Sequence, residues 1–181
     1  MIILCPTIMH SGSHALWYGI FRDHTPVECP TPGQSVPEDC ILLDHIQDGK
    51  WRNMWKPWIA EGHPIVTILR HPARAMASHL ARNEVDTRWM MWYAGQWMNH
   101  IELWEKHTPY LIHLDQPDLR DMQLQIINEE LGTNLNYDWR ISKQMGCRHN
   151  THDKKVDEVL KRMIPERFNE YYEETVNAYK A

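Results

Sequence analysis

Four short apolar runs, with helical patterns between them, constrain the fold more than any other feature of this chain. They are Ile2–Pro6, Cys40–His45, Ile65–Arg70 and Tyr110–Leu114. Each is apolar almost continuously, not at every second position. Strands of that kind are buried on both faces, which calls for a parallel sheet with helices on either side. The segments between supply the helices: Ser13–Arg22, Pro72–Arg82, Glu84–Lys106, Asp118–Leu131, Asp153–Ile164 and Pro165–Tyr179. Pro72 stands in a first turn, where its missing N–H costs nothing. Gly132 follows Leu131 as a C-cap. The alternation predicts a three-layer α/β fold with a mainly parallel central sheet of about four to five strands flanked by helices. The length of 181 residues suits a single domain. Thr25–Asp39, rich in proline, and Asn134–Asp153 are expected to be loops of the kind that carry binding functions.

Composition narrows the function classes. A net charge of −5 leaves no large basic excess for general nucleic-acid binding. The twelve histidines are expected to reverse that charge at acid pH. The four cysteines, Cys5, Cys29, Cys40 and Cys147, form no C-x-x-C pair, and Cys5 and Cys40 are expected to be buried thiols. The first apolar run lacks a basic leader and is predicted to be a core strand rather than a signal peptide. No run approaches the roughly 18 apolar residues of a membrane span. The expectation is a cytoplasmic protein that engages neither membrane nor nucleic acid.

Two strand ends carry the chemistry. After the first run comes His10-Ser11-Gly12-Ser13-His14, then a helix. Gly12 allows close backbone approach to an anion, the serines add hydroxyls, and the helix start adds N–H groups and a favourable dipole. No G-K-[ST] is present, so this is not a Walker A loop. The third run ends in Arg70, followed by Pro72 and, eight residues after the arginine, by Ser78 on a helix. Arg74 and Arg82 share the helical face of Ser78. Two such corners on one sheet suit a ligand with two separate phosphate-like groups.

In element order from Met1 to about Gly132, these residues resemble the sulfotransferases that use 3′-phosphoadenosine 5′-phosphosulfate (PAPS), a P-loop NTPase-like fold. The resemblance assigns His10, Ser11, Gly12, Ser13 and His14 to the loop around the 5′-phosphosulfate, and Arg70 with Ser78 to the 3′-phosphate. His10 stands where the family has Lys or Arg and would act near the bridging oxygen. Ala15 stands where the family often has an aromatic residue against adenine. Of the late basic loop that completes the 3′-phosphate site, Arg148 is the candidate, near Lys143, Gly146 and His149. His45 ends the second run at the position of the family's general base, with Asp44 either orienting it or serving as the base itself. The implied reaction moves a sulfuryl group from PAPS to a hydroxyl or amine of a small-molecule or glycan acceptor, leaving 3′-phosphoadenosine 5′-phosphate (PAP). Alternatives are a P-loop-type nucleotide kinase and a catalytically inactive nucleotide-binding relative.

No metal is expected: the histidines are scattered and H-E-x-x-H is absent. The stripe Trp89, Met90, Met91, Trp92, Trp97 and Met98 is expected to be core, or the wall of an acceptor pocket.

Overall fold

The computed structural model describes residues 1–9, 12–31, 33–46, 50–80, 87–138, 140 and 162–180. In chain order the elements are β1 (Ile2–Thr7), a π-helix (Ala15–Ile20), β2 (Thr25–Glu28), β3 (Cys40–His45), α1 (Lys50–Ala60), β4 (Val66–Leu69), α2 (Pro72–Leu80), α3 (Thr87–His107), β5 (Tyr110–His113), α4 (Pro117–Leu131) and α5 (Glu166–Ala178).

All described pairings are parallel. β3 lies between β1 and β2, with Ile2 opposite Cys40 and Thr7 opposite His45. β4 pairs with β5, Val66 opposite Tyr110. An isolated bridge between Leu4 and Ile65 joins the two ladders, and the Leu4 N–H donates to the Pro64 carbonyl at 2.9 Å. The strand order is therefore β2-β3-β1-β4-β5. Successive crossovers leave β1 on one side and β4 on the other, so these two central strands form the switch point where open α/β sheets bind ligands.

Alternation along the strands divides the core into two layers. Leu4, Leu42, Leu69 and Leu111 face one side, against Trp55, Trp58, Tyr93, Trp97, Phe168 and Tyr171. Ile3, Ile41, Val66, Ile68 and Ile112 face the other, against Leu16, Ile20, Leu124 and Ile127. Helices thus cover both faces, as the continuous apolar runs require.

Two elements differ from the sequence expectation. β2 occupies the start of the segment read as a loop. Its residues are mostly exposed and it contains Pro26, so it carries no hydrophobic signal. The Cys29 N–H donates to the Leu43 carbonyl at 2.9 Å. By the two-residue alternation, Pro26 therefore turns its missing N–H away from β3, as an edge strand allows. α1 lies where no element was expected, because Pro57 interrupts a helical pattern that nonetheless buries Trp55 and Trp58. The first helix is wound as a π-helix, with Phe21 N–H reaching back five residues to the Leu16 carbonyl at 3.0 Å. Gly132 does cap α4 in the left-handed conformation. Cys5 and Cys40 are buried free thiols and Cys29 is exposed. Most of the expected helix Asp153–Ile164 and of the Asn134–Asp153 connector lies outside the described residues. Among the described residues, no helix is long and apolar enough to cross a membrane.

Candidate functional site

The first corner forms where β1 ends. Gly12 takes φ +113°, a conformation open in practice to glycine alone. Its carbonyl accepts the Leu16 N–H at 3.0 Å, which starts the helix. Ser13 and His14 occupy the opening turn, Ser13 buried and His14 exposed. A Cβ on Gly12 would stand 3.4 Å from Ile68 Cδ1 and closer still to Leu114. The turn therefore rests on the ends of β4 and β5, beside the second corner. Just upstream, the Met9 N–H donates to the fully buried Gln96 Oε1 of α3 at 2.8 Å, which fixes the approach to the loop. His10 and Ser11 lie outside the described residues.

His45 closes β3 directly opposite Thr7, and its Nδ1 lies 3.2 Å from Thr7 Oγ1. The Trp17 ring stands 5.6 Å from the imidazole, and His14 lies 5.9 Å beyond Trp17. Burial lowers the His45 pKa from its ordinary value, and the His14 ring adds to the lowering. The Asp44 charge and a hydrogen bond to the Thr7 backbone act the other way. Asp44 Oδ1 itself accepts the His45 backbone N–H at 2.6 Å. Thr7, and not Asp44, is thus the side chain at the ring nitrogen Nδ1, and Asp44 acts on the imidazole through its charge.

Arg70 follows β4 immediately, half-buried, and lies close enough for its charge to act on the Tyr93 phenol, whose pKa burial raises and the arginine partly offsets. Ser78 sits in the second turn of α2, buried to 6% exposure. The start of α2 is already engaged by protein groups. Asp115 Oδ2 accepts the His71 N–H at 3.0 Å, and the His71 ring Nδ1 accepts the Ala73 N–H at 3.2 Å. Asp115 also accepts the Tyr172 hydroxyl and lies 3.9 Å from Arg74. A carboxylate therefore already complements this helix dipole. An anion at the second corner would rely on the side chains of Arg70 and Ser78. Arg148 lies outside the described residues.

The structure brings together Gly12, Ser13, His14 and His45 at one end of the sheet, with Arg70 at the end of the neighbouring strand. Sequence reasoning missed Thr7, Gln96 and Asp115. The signal for Gln96 was a polar residue on the buried face of α3, between Tyr93 and Trp97. The α3 stripe is only partly core: Trp97 stacks on Phe168 at 5.5 Å, while Met91 and Met98 are exposed. The side chains of Trp89 and Met90 lie outside the description. Among the described residues, no group of three His, Cys, Asp or Glu side chains is placed to hold a metal ion.

Comparison with solved structures follows the same architecture. The chain superimposes on mouse sulfotransferase SULT7A1, a crystal structure complexed with PAP, at a TM-score of 0.53 and 13% identity, covering 99% of this chain and 87% of that one. The fold is sulfotransferase-like. No protein-family model matches the chain, and no curated protein matches it by sequence.

Proposed function

We propose that the protein is a sulfotransferase that moves a sulfuryl group from PAPS to a hydroxyl or amine of a small-molecule or glycan acceptor. The observation that carries this reading is the placement of Gly12 against Ile68 near the end of β4, two residues before Arg70, at the switch point of the sheet. The PAP in the structural neighbour lends support to a nucleotide bearing two phosphate groups as the ligand.

In this reading the Gly12–His14 backbone holds the 5′-phosphosulfate. Arg70 and Ser78 hold the 3′-phosphate, and Arg148 is proposed to join them. His10 lies near the bridging oxygen. The acceptor oxygen or nitrogen attacks sulfur in line, the bond from sulfur to the bridging phosphate oxygen breaks, and PAP leaves. His45 takes the acceptor proton at Nε2. For that, Nδ1 carries the ring hydrogen and donates it to Thr7 Oγ1. The nearby Asp44 charge then stabilises the imidazolium that forms. Catalysis is mainly positioning and charge stabilisation.

Binding tests the reading. Arg70→Ala is expected to weaken PAP far more than adenosine 5′-phosphate in isothermal titration, and equal losses would overturn the assignment. His45→Ala is expected to abolish most turnover and leave PAP affinity nearly unchanged.

A further inference from the structure

The two corners emerge from neighbouring strands, and a buried relay of hydrogen bonds ties those strands together just beneath them. Thr67 on β4 lies three residues before Arg70, and its Oγ1 is 2.5 Å from the Pro6 carbonyl on β1. Pro6 has no N–H to donate toward β4. The Thr67 hydroxyl supplies a cross-strand bond in its place. Two oxygens this close need the hydroxyl proton between them, so Thr67 is the donor. Its oxygen then accepts from His100 Nε2 at 3.0 Å. His100 Nδ1, left as an acceptor, receives the Tyr171 hydroxyl at 2.8 Å. Each proton has one direction, from Tyr171 on α5 through His100 on α3 and Thr67 to the Pro6 carbonyl. Thr67, His100 and Tyr171 are all 0% exposed, so bulk water cannot replace any link.

We propose that the Tyr171–His100–Thr67 relay is a positioning device that sets the separation of the two corners, and so selects a ligand with two anionic groups over ligands with one. The inference rests on the proposed function, in which both corners engage one nucleotide. A ligand held at two points gains from the second only when its span matches the distance between them. A ligand held at one point is indifferent to that distance. None of the three relay residues touches the ligand; they act through the strand ends.

The test compares PAP, adenosine 5′-phosphate and adenosine 3′-phosphate by isothermal titration on the full chain. The wild type is expected to prefer PAP over both monophosphates. Thr67→Val keeps the shape and removes the hydroxyl. It is expected to cut that preference roughly tenfold or more, because the second anchor contributes only while the span matches. Monophosphate affinities should stay nearly constant, and Thr67→Ser should restore the preference. Loss of affinity for all three ligands alike, or an unchanged preference in Thr67→Val, overturns the relay while leaving the donor assignment intact. A wild type with no preference for PAP overturns the donor assignment, and the relay with it. If Thr67→Val does not fold, Tyr171→Phe removes the hydroxyl at the far end without loss of volume. A reduced PAP preference there supports the relay, and an unchanged one overturns it.

Discussion

Gly12 and His45 show how much a single residue decides at this site. Gly12→Ala would force an L-residue into φ +113° and bring a Cβ to 2.6 Å from Leu114 Cδ2. The backbone alone should cost about 1–3 kcal/mol, with crowding added. Leu114→Ala in the same chain should relieve the crowding and leave the backbone share, which a double-mutant cycle in urea separates. His45 has a different sensitivity. Its lowered pKa, due first to burial, favours the neutral ring, the form that can accept a proton. The proposed activity should fall as the ring protonates, with the acid limb shifted down from the ordinary histidine value. Asp44 raises this pKa, so Asp44→Asn should move the limb to lower pH. His14 lowers it, so His14→Asn should move the limb up. NMR titration of the His45 ring reads both shifts independently of turnover.

At the scale of elements, α5 depends on histidines that must stay neutral. The Thr175 hydroxyl donates to the Tyr172 carbonyl at 2.8 Å, so His113 Nε2–H donates to Thr175 Oγ1 at 3.0 Å. Gln123 Nε2 donates to His113 Nδ1 at 2.8 Å. Burial, first among the causes, pushes His100 down to about 3 and His113 down to about 4. In the unfolded chain both rings bind a proton near pH 6.5, and in the folded chain they do not. Their stabilising contribution is therefore full above about pH 6.5 and is lost as pH falls toward the folded values. Each ring should remove about 1.4 kcal/mol per pH unit in that window. Urea unfolding between about pH 7 and about pH 5 checks the slope, and His113→Gln should be less stable at neutral pH but flatter. The same elements mark what sequence could reveal. The four continuous apolar runs located β1, β3, β4 and β5, because burial on both faces leaves a signal in every residue. β2 and α1 carry no such signal: one is an exposed edge containing Pro26, the other is interrupted by Pro57.

For the whole molecule, charge follows burial. Among the described residues, His45, His100 and His113 have lowered pKa values. The native protein should therefore focus below the sequence pI of 6.2, and focusing in urea should return it toward that value. The acid charge reversal expected from twelve free imidazoles is correspondingly smaller. The site was legible to the same uneven degree. Gly12, Arg70 and His45 stand at strand ends, which run patterns locate. Thr7 and Asp115 reach the site from neighbouring strands and Gln96 from α3, and only the tertiary arrangement brings them there.

The outer strands carry one further consequence. On β5, Tyr110 and Leu114 turn their N–H groups toward β4, which leaves Leu111 and His113 pointing outward. The Leu111 N–H is taken by the Tyr179 hydroxyl at 3.3 Å and the His113 N–H by Gln123 Oε1 at 2.8 Å. On β2 the outward position at Pro26 has no N–H at all. An incoming strand thus meets no open donor at any of these three positions, which is how native sheets resist edge-to-edge aggregation. Tyr179→Phe should expose the Leu111 donor and raise the rate of thioflavin-positive aggregation on gentle heating.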